Sequence, residues 1–390
     1  MLVDGRGQPA LTIAFTGGGT GGHIYPGLAV IARLRRDYRV VWIGSAAGMD
    51  RAVVEAAGIE FYGIPAGRLR RYFSFKTVPD LFRVLGGFFT ARSVLKRLRP
   101  ALLFSKGGFV SVPPCAAAAW LKIPVYTHES DLSPGLATRI NLRFVRRTGG
   151  RMFTAYAVTA AFLPPACRSL VTVSGNPVRP GFRSANPVAE AAAGRAFLGL
   201  GEGERILLVL GASQGSVELN TLVREALPEL TKYYVVVHQT GPGNEGAEPS
   251  GRYRPYAYFR EEMPQVLAAA DLVLSRAGAG TVWENATCGK PMILLPLRGS
   301  GTRGDQVENA EFFERTGAAL VLRSRSVSMG NPGSVTADDL AALVRDLAEN
   351  PEQAAALAAA AARVALIDGA ALIAHALDEA VLALAGGGAP

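Results

Sequence analysis

Residues 16–27 read TGGGTGGHIYPG. Fixing a glycine costs more backbone entropy than fixing any other residue, yet five of the first seven positions here are glycine, and the run ends at His23. In front of it, Leu11 to Thr16 (LTIAFT) reads as a short buried strand; behind it, Pro26 through Arg36 reads as a helix. The glycines therefore fill a strand-to-helix turn. Helix N-terminal amides face an anion from such a turn, and residues without side chains let it come close.

The same alternation runs outward. Candidate strands are 11–16, 39–44, 60–64, 101–105, 124–128 and 170–174, with helical stretches such as 49–57 and 78–98 between them. Residues 175–203 turn rich in Gly, Pro, Ala and Ser. A second series follows at 205–210, 233–238, 255–259, 271–275, 291–296 and 318–322, with a helix over 217–227, and 337–385 reads as helical. Alternating strands and helices predict parallel doubly wound sheets. The fold expected is α/β, two Rossmann-like domains facing a cleft. The expected bounds are a loose tail over 1–10, an N-terminal domain over 11–180, a linker over 181–204, a C-terminal domain over 205–370, and a helix over 371–385 that packs back on the first domain.

A chain of 390 residues has length for about two such cores. Cys115, Cys167 and Cys288 are widely spaced and match neither a disulfide framework nor a metal pattern, which favours a reducing compartment. The first ten residues lack an apolar signal core. No uninterrupted apolar run reaches about 18 residues, so no membrane span is expected.

The net charge is +9, and one segment carries most of it: nine basic residues stand between Arg68 and Arg99 against Asp80 alone. Tyr72, Phe73, Phe75, Phe82, Phe88 and Phe89 are interleaved with them. That mixture suits an anionic membrane surface or a nucleic acid. The plainer alternative is a solvated helix with its apolar side on the core.

Several loops carry candidate chemistry. The first glycine loop lacks an acidic ribose residue at the end of strand two and the Lys-Ser/Thr of a P-loop. His23 follows it directly; in a first helical turn the dipole favours neutral imidazole, which suits a general base. Packing or capping is its plainer role. Gly211-Ala-Ser-Gln-Gly215 is a second glycine turn, where Ser213 and backbone amides could cradle a phosphate. Ser275-Arg-Ala-Gly-Ala-Gly280-Thr-Val-Trp-Glu284 is a third, with Glu284 placed to accept two ribose hydroxyls or simply to face solvent. Asp305, Gln306 and Asn309 are helical neighbours able to hold a polyhydroxyl ligand. Lys106-Gly-Gly-Phe-Val-Ser111 and His128-Glu-Ser-Asp131 complete the first half. No Cys/His metal spacing and no Asp-x-Asp triplet occurs, so no metal or other cofactor is required by the sequence.

TGGGTGGHIYPGLAV, KGGFVS, HESDLSPGLATR, SGNPVR, LGASQGS, SRAGAGTVWE and DQVENA, in this order, resemble the MurG family. These are UDP-N-acetylglucosamine:lipid-linked muramyl-pentapeptide N-acetylglucosaminyltransferases of peptidoglycan synthesis. The resemblance spans about residues 11–325. It implies a glycosyltransferase-B fold, an inverting transfer, and work at the cytoplasmic face of the plasma membrane. By matching position it implies that Thr20, Gly21, Gly22 and Phe109 line the acceptor side and that His23 is the base on the sugar 4-hydroxyl. Arg179 would touch the nucleotide, Ser213 and Gln214 the donor phosphates or base, and backbone near Arg260 the uracil. Glu284 would bind the ribose and Gln306 the N-acetylglucosamine hydroxyls, with Gly280, Thr281, Asp305 and Asn309 as further substrate-binding candidates. Segment 68–99 would be the membrane dock, and a cell-wall synthesis complex the setting; three phosphate-ready glycine turns speak against a nucleic-acid partner.

The sequence departs from the family in places. Phe109 stands where tyrosine is frequent. HESD stands where HEQN is frequent, so Asp131 puts a carboxylate in place of an amide. That carboxylate rivals His23 as base, and it repels an acceptor diphosphate unless paired. Alternatives are a related glycosyltransferase with another lipid acceptor such as diacylglycerol, a UDP-N-acetylglucosamine 2-epimerase, and a catalytically silent donor-binding scaffold.

Overall fold

The computed structural model describes residues 11–35, 38–67, 77–211, 215–244, 250–298, 304–324, 327–328, 331–332 and 334–386. The chain forms two compact units: 1–179 together with 367–390, and Pro180–Leu366.

In the first unit β1 (Thr12–Thr16), α1 (Tyr25–Ile31), β2 (Arg39–Ser45), α2 (Asp50–Ala56), β3 (Glu60–Ile64), α3 (Thr77–Leu98), β4 (Leu102–Ser105), α4 (Val112–Trp120), β5 (Val125–Glu129), α5 (Leu136–Thr148), β6 (Met152–Thr154) and β7 (Val171–Val173) follow one another. The strands make one parallel sheet in the order β3-β2-β1-β4-β5-β6-β7. The order reverses between β1 and β4, and ligands of such sheets bind outside the strand ends at that point. Thr16 pairs with Ser105 there, so the loops beginning at Gly17 and Lys106 leave the sheet side by side.

The second unit repeats this plan. Its elements are α6 (Pro187–Leu198), β8 (Ile206–Leu210), α7 (Val217–Tyr233), β9 (Val235–Gln239), β10 (Tyr253–Tyr256), α8 (Met263–Ala269), β11 (Leu272–Ser275), α9 (Ala279–Thr287), β12 (Met292–Leu294), α10 (Asp305–Arg315), β13 (Leu320–Val321), the short pair β14 (Val327–Ser328) and β15 (Asn331–Pro332), α11 (Ala337–Glu349) and α12 (Pro351–Val364). The parallel order is β10-β9-β8-β11-β12-β13, which places a second reversal between β8 and β11. The last helix, α13 (Gly369–Gly386), belongs to the first unit.

Several expectations differ from the structure: β6 is not among the candidate strands, and β10 lies at Tyr253–Tyr256, not 255–259. The helix over 26–36 stops at Ile31, because Arg33 and Leu34 bond back only three residues, to Val30 and Ile31, and tighten the end. The helix over 217–227 runs on through Pro228 to Tyr233. Leu230 continues its buried stripe, and that outweighs the one bond a proline forfeits. Within 181–204, expected as linker, lies α6. Asn186 caps it by accepting from Ala189 N–H at 3.1 Å, and a Cβ on Gly194 would stand 2.1 Å from the Gln265 carbonyl of α8. The alanines favour helix, and the glycine lets two helices meet closely. The second unit thus begins at Pro180 and ends at Leu366, not at 205 and 370.

In the first unit, β-sheet residues Phe15, Trp42 and Phe104 pack with Ile373, Leu377 and Val381 of α13. Burying each of those three aliphatic side chains stabilises the unit by roughly 1.5–3 kcal/mol. Pro351–Leu384 as a whole is long and apolar enough to cross a membrane. Its buried side chains are divided, however: Leu357, Ala360 and Ala361 of α12 are buried in the second unit, and α13 fills the first.

Candidate active site

The first glycine loop is held from below by two buried side chains. Asp50, at the start of α2, accepts Gly19 N–H at 2.9 Å and Ser45 N–H at 3.0 Å. Trp42 Nε1 donates to the Gly17 carbonyl at 3.1 Å. Three glycines are required by contact: a Cβ on Gly18 would lie 1.9 Å from Asp50, one on Gly19 would lie 2.8 Å from the Phe109 ring, and one on Gly108 would lie 2.8 Å from the His23 ring. Gly19 and Gly108 also have φ of +84° and +76°. His23 therefore rests against the backbone of the second loop, and Phe109 against the first. Asn141 of α5 braces the second loop, donating to Ser111 Oγ at 2.8 Å and Ser105 Oγ at 3.2 Å. Thr20 and Gly22 are exposed at the rim, and Gly21 is half-buried beside Tyr25. The Arg179 guanidinium stacks over the Tyr25 ring at 5.1 Å, so it too belongs to this end of the sheet.

The end of β5 adds charge. Lys106 is 1% exposed, and its Nζ donates to Ser130 Oγ at 2.8 Å. Ser130 donates in turn to Asn176 Oδ1 at 2.6 Å. Glu129 accepts from Asp131 N–H at 3.1 Å and from Gly135 N–H at 3.0 Å, which shapes the turn into α5. Burial pulls Lys106 down to about 8, against the opposing pull of Glu129 and Asp131. Burial and the Lys106 charge together push His128 well below the ordinary histidine value. It stays neutral, with Nε2 donating to the Gly175 carbonyl at 3.1 Å.

In the second unit the loops after β8 and β11 flank the other reversal point. Arg276, 5% exposed, joins three strand ends. It donates to Ser216 Oγ at 2.6 and 3.1 Å, to Glu218 Oε2 at 2.5 Å and to the Leu295 carbonyl at 3.2 Å. Ser216 also caps α7 by accepting from Leu219 N–H. A Cβ on Gly278 or Gly280 would meet nothing within 4 Å, so the first turn of α9 is open. Thr281 and Glu284 follow on the same helix, both half-buried. Gln306 Oε1 accepts from Leu297 N–H at 3.0 Å, which fixes its amide. Asp305 starts α10 half-buried beside it. Asn309 is buried and donates to the Ala277 carbonyl at 3.3 Å, so it ties α10 to the β11–α9 loop. Arg260 is exposed, and its N–H is taken by Glu262 at 3.1 Å. Ser213 and Gln214 lie outside the described residues.

Among the described residues no three His, Cys, Asp or Glu side chains gather as a metal site. Burial pushes the Cys115 and Cys288 thiols up to about 12, so neither offers a thiolate nucleophile.

The sequence model of the glycosyltransferase family 28 N-terminal domain matches residues 13–149, and that of the family 28 C-terminal domain matches 206–373. A UDP-N-acetylglucosamine–N-acetylmuramyl-(pentapeptide) pyrophosphoryl-undecaprenol N-acetylglucosamine transferase of Treponema denticola is 49% identical over 338 residues, covering 81% of this chain and 84% of the relative. The chain belongs to the MurG family, within glycosyltransferase family 28. A Bacillus cereus protein of the same name is 41% identical over 321 residues, 81% of this chain and 88% of its own. The crystal structure of MurG from Acinetobacter baumannii has the same fold, with a TM-score of 0.68 at 23% identity over 95% of this chain and all of that one. The chain is thus a glycosyltransferase with the two-Rossmann architecture.

The geometry also brings forward residues that the sequence reading did not place in the site: Asp50, Lys106 and Arg276. Lys106 and Arg276 stand inside loops quoted above; their burial is the signal, and only the folded chain shows it. Asp50 is an ordinary helix-starting acid in sequence, and its role follows from β2 lying beside β1.

Proposed function

We propose that the chain transfers N-acetylglucosamine from UDP-N-acetylglucosamine to the 4-hydroxyl of undecaprenyl-diphosphate-linked N-acetylmuramyl-pentapeptide, inverting the anomeric centre. The observation that carries this is the 49% identity, over 81% of the chain, with a relative named for that transfer. Two switch-point loop sets, one per unit, support it. The base takes the proton of the 4-hydroxyl, the freed oxygen attacks the anomeric carbon, and UDP leaves with the bonding pair. His23, set against Gly108 in the first unit, is the favoured base; Asp131 is its rival. Thr20, Gly21, Gly22 and Phe109 meet the acceptor, and Arg179 the nucleotide. In the second unit Gly280, Thr281 and Glu284 take the ribose side, Gln306 with Asp305 takes the sugar hydroxyls, and Asn309 positions α10. Ser213 and Gln214 serve the donor phosphates or base, and backbone at Arg260 the uracil. No cofactor enters this scheme, and activity that survives EDTA is the check on it.

The same reading places the enzyme at the cytoplasmic face of the membrane, in cell-wall growth and division, with other cell-wall enzymes as partners. On α3, Leu81, Phe82, Leu85 and Phe89 are exposed along one stripe, and Trp120 of α4 joins them through Phe88 at 6.3 Å. Lys96, Arg97 and Arg99 are exposed at the far end of that helix. A contiguous apolar stripe with basic neighbours fits an anionic bilayer surface. Residues 68–76 of the expected dock lie outside the described residues.

The deciding experiment is UDP release from UDP-N-acetylglucosamine, with and without a short-chain lipid-linked muramyl-pentapeptide. Release should require this acceptor, collapse in Glu284→Ala, and fall in whichever of His23→Ala and Asp131→Ala removes the base. Donor binding without any response to this acceptor would overturn the reading and point to another lipid.

A further inference from the structure

The turn that follows β10 is fixed from two sides. Thr240 N–H donates to the Tyr256 carbonyl at 2.9 Å and Gly241 N–H to the Ala257 carbonyl at 3.0 Å, so pairing runs on past the ends of β9 and β10. Gln239 Oε1 then accepts Phe259 N–H at 2.9 Å in a buried bond. The Phe259 ring, 2% exposed, packs on Tyr256 at 4.7 Å and on Phe197 of α6 at 6.3 Å. These contacts hold residues 256–259 at the carboxyl edge of the parallel sheet, where ligands of such sheets bind.

The next N–H, that of Arg260, has a partner of another kind. Its acceptor is the half-buried Glu262 carboxylate, two residues on, at 3.1 Å. Glu262 is the residue that precedes α8, yet its side chain caps none of that helix's N–H groups. An acid beside a helix start is stabilised by those groups. Here it turns back instead, onto the backbone that the proposed function gives to the uracil. The bond adds little to the path of the turn, because Gln239 and the three rings already set it.

We propose that Glu262 is a specificity-determining residue of the donor site: its carboxylate stands in for the base on the Arg260 N–H until the oxygen at position 4 of a uracil ring takes its place. This deepens the proposed function and rests on its uracil-reading backbone. A backbone N–H can only donate. Uracil offers it an oxygen at position 4 and cytosine an amine, so only uracil can take over the bond. A hydrogen bond to a carboxylate is of the stronger kind, so its release subtracts from what the uracil gains.

The test is calorimetric titration of the full chain with UDP and with CDP. Damage to the fold lowers affinity, and the effect expected here has the opposite sign. Glu262→Ala should bind UDP about 3-fold more tightly or better, because the N–H no longer has a competing acceptor. Glu262→Gln, which keeps the shape but leaves a neutral acceptor, should gain less. CDP affinity should be the same in wild type and both variants. Glu261→Ala is the charge control: it removes an exposed carboxylate from the same turn and should leave UDP affinity as in wild type. UDP affinity unchanged or weaker in both Glu262 variants, an equal gain for CDP, or an equal gain in Glu261→Ala would each overturn the proposal. Wild type that binds UDP while the Glu262 variants gain nothing overturns this inference alone. Wild type that binds no UDP overturns the proposed function, and this inference with it.

Discussion

Asp50 Oδ1 accepts the backbone N–H of Gly19 across 31 residues of sequence, at 2.9 Å, while its second oxygen holds Ser45 N–H. One fully buried carboxylate thereby sets the path of the loop that carries His23. Asp50→Ala removes the acceptor of two N–H groups, and the buried one of Ser45 alone costs roughly 1–3 kcal/mol. Urea unfolding should show a loss of that order, and kcat should fall although residue 50 touches no substrate. An unchanged denaturation midpoint would refute the brace.

Gly108→Ala should be more damaging than its size suggests. The new methyl would stand 2.8 Å from His23 Cδ2 and 2.9 Å from the Gly18 carbonyl, at φ +76°. The imidazole must shift, and a general base contributes about 10²–10⁴ in rate only when in reach. A kcat loss of at least about 10-fold is expected, with donor KM steady. Gly203→Ala, where a Cβ meets nothing within 4 Å, is the silent control.

Glu284→Gln and Gln306→Ala should act on the donor. A lost hydrogen bond to a charged group is worth about 1.5–3 kcal/mol, so Glu284→Gln should raise the donor KM by roughly 10-fold or more. Gln306→Ala also frees Leu297 N–H, and its effect should fall on sugar-nucleotide discrimination more than on UDP binding. Inhibition by UDP separates the two.

Stability should depend on pH through His238. This wholly buried ring donates from Nε2 to Asn220 Oδ1 and accepts the Tyr253 hydroxyl at Nδ1, each at 3.1 Å. Burial, aided by the Arg224 charge, lowers it to about 4. The unfolded chain takes up the proton near pH 6.5 and the folded chain does not. The stabilisation is therefore whole above about 6.5 and is lost toward 4, by up to about 1.4 kcal/mol per unit. His128, also depressed by its burial, adds in the same direction. Melts from pH 7.5 to 5 should show a steeper decline for wild type than for His238→Gln.

Phe82→Glu with Phe89→Glu should reduce partition into anionic vesicles by about 10-fold or more, since each buried phenylalanine contributes about 1.5–3 kcal/mol. Turnover of detergent-solubilised acceptor should be spared. Equal vesicle binding by this variant would move the dock elsewhere on the molecule.

Much of this was legible in the residues. The apolar runs gave most strands to within a residue or two, because buried parallel strands are short, continuous and closed by glycine or polar residues; the three-residue β6 had no candidate, and β10 ends three residues before its candidate did. The loops that carry His23, Glu284 and Gln306 were found for the same reason: glycine at a strand end is a local signal. What sequence could not give is nonlocal. Nothing near Asp50 announces Gly19, and nothing near Lys106 announces Ser130 and Asn176, since each pairing depends on which strands become neighbours. The α6 segment misled because its small residues, a mark of loops, here serve a close helix–helix approach.

The return of α13 to the first unit has a temporal consequence. During synthesis the sheet of the first unit emerges early, but Ile373, Leu377 and Val381, which cover the face bearing Phe15 and Trp42, emerge only after the whole second unit. The second unit is an uninterrupted stretch and can close while the first still exposes an apolar face. Until then the first unit depends on chaperones or on its own solubility, and a premature stop before residue 373 yields a chain whose second unit is complete and whose first never closes.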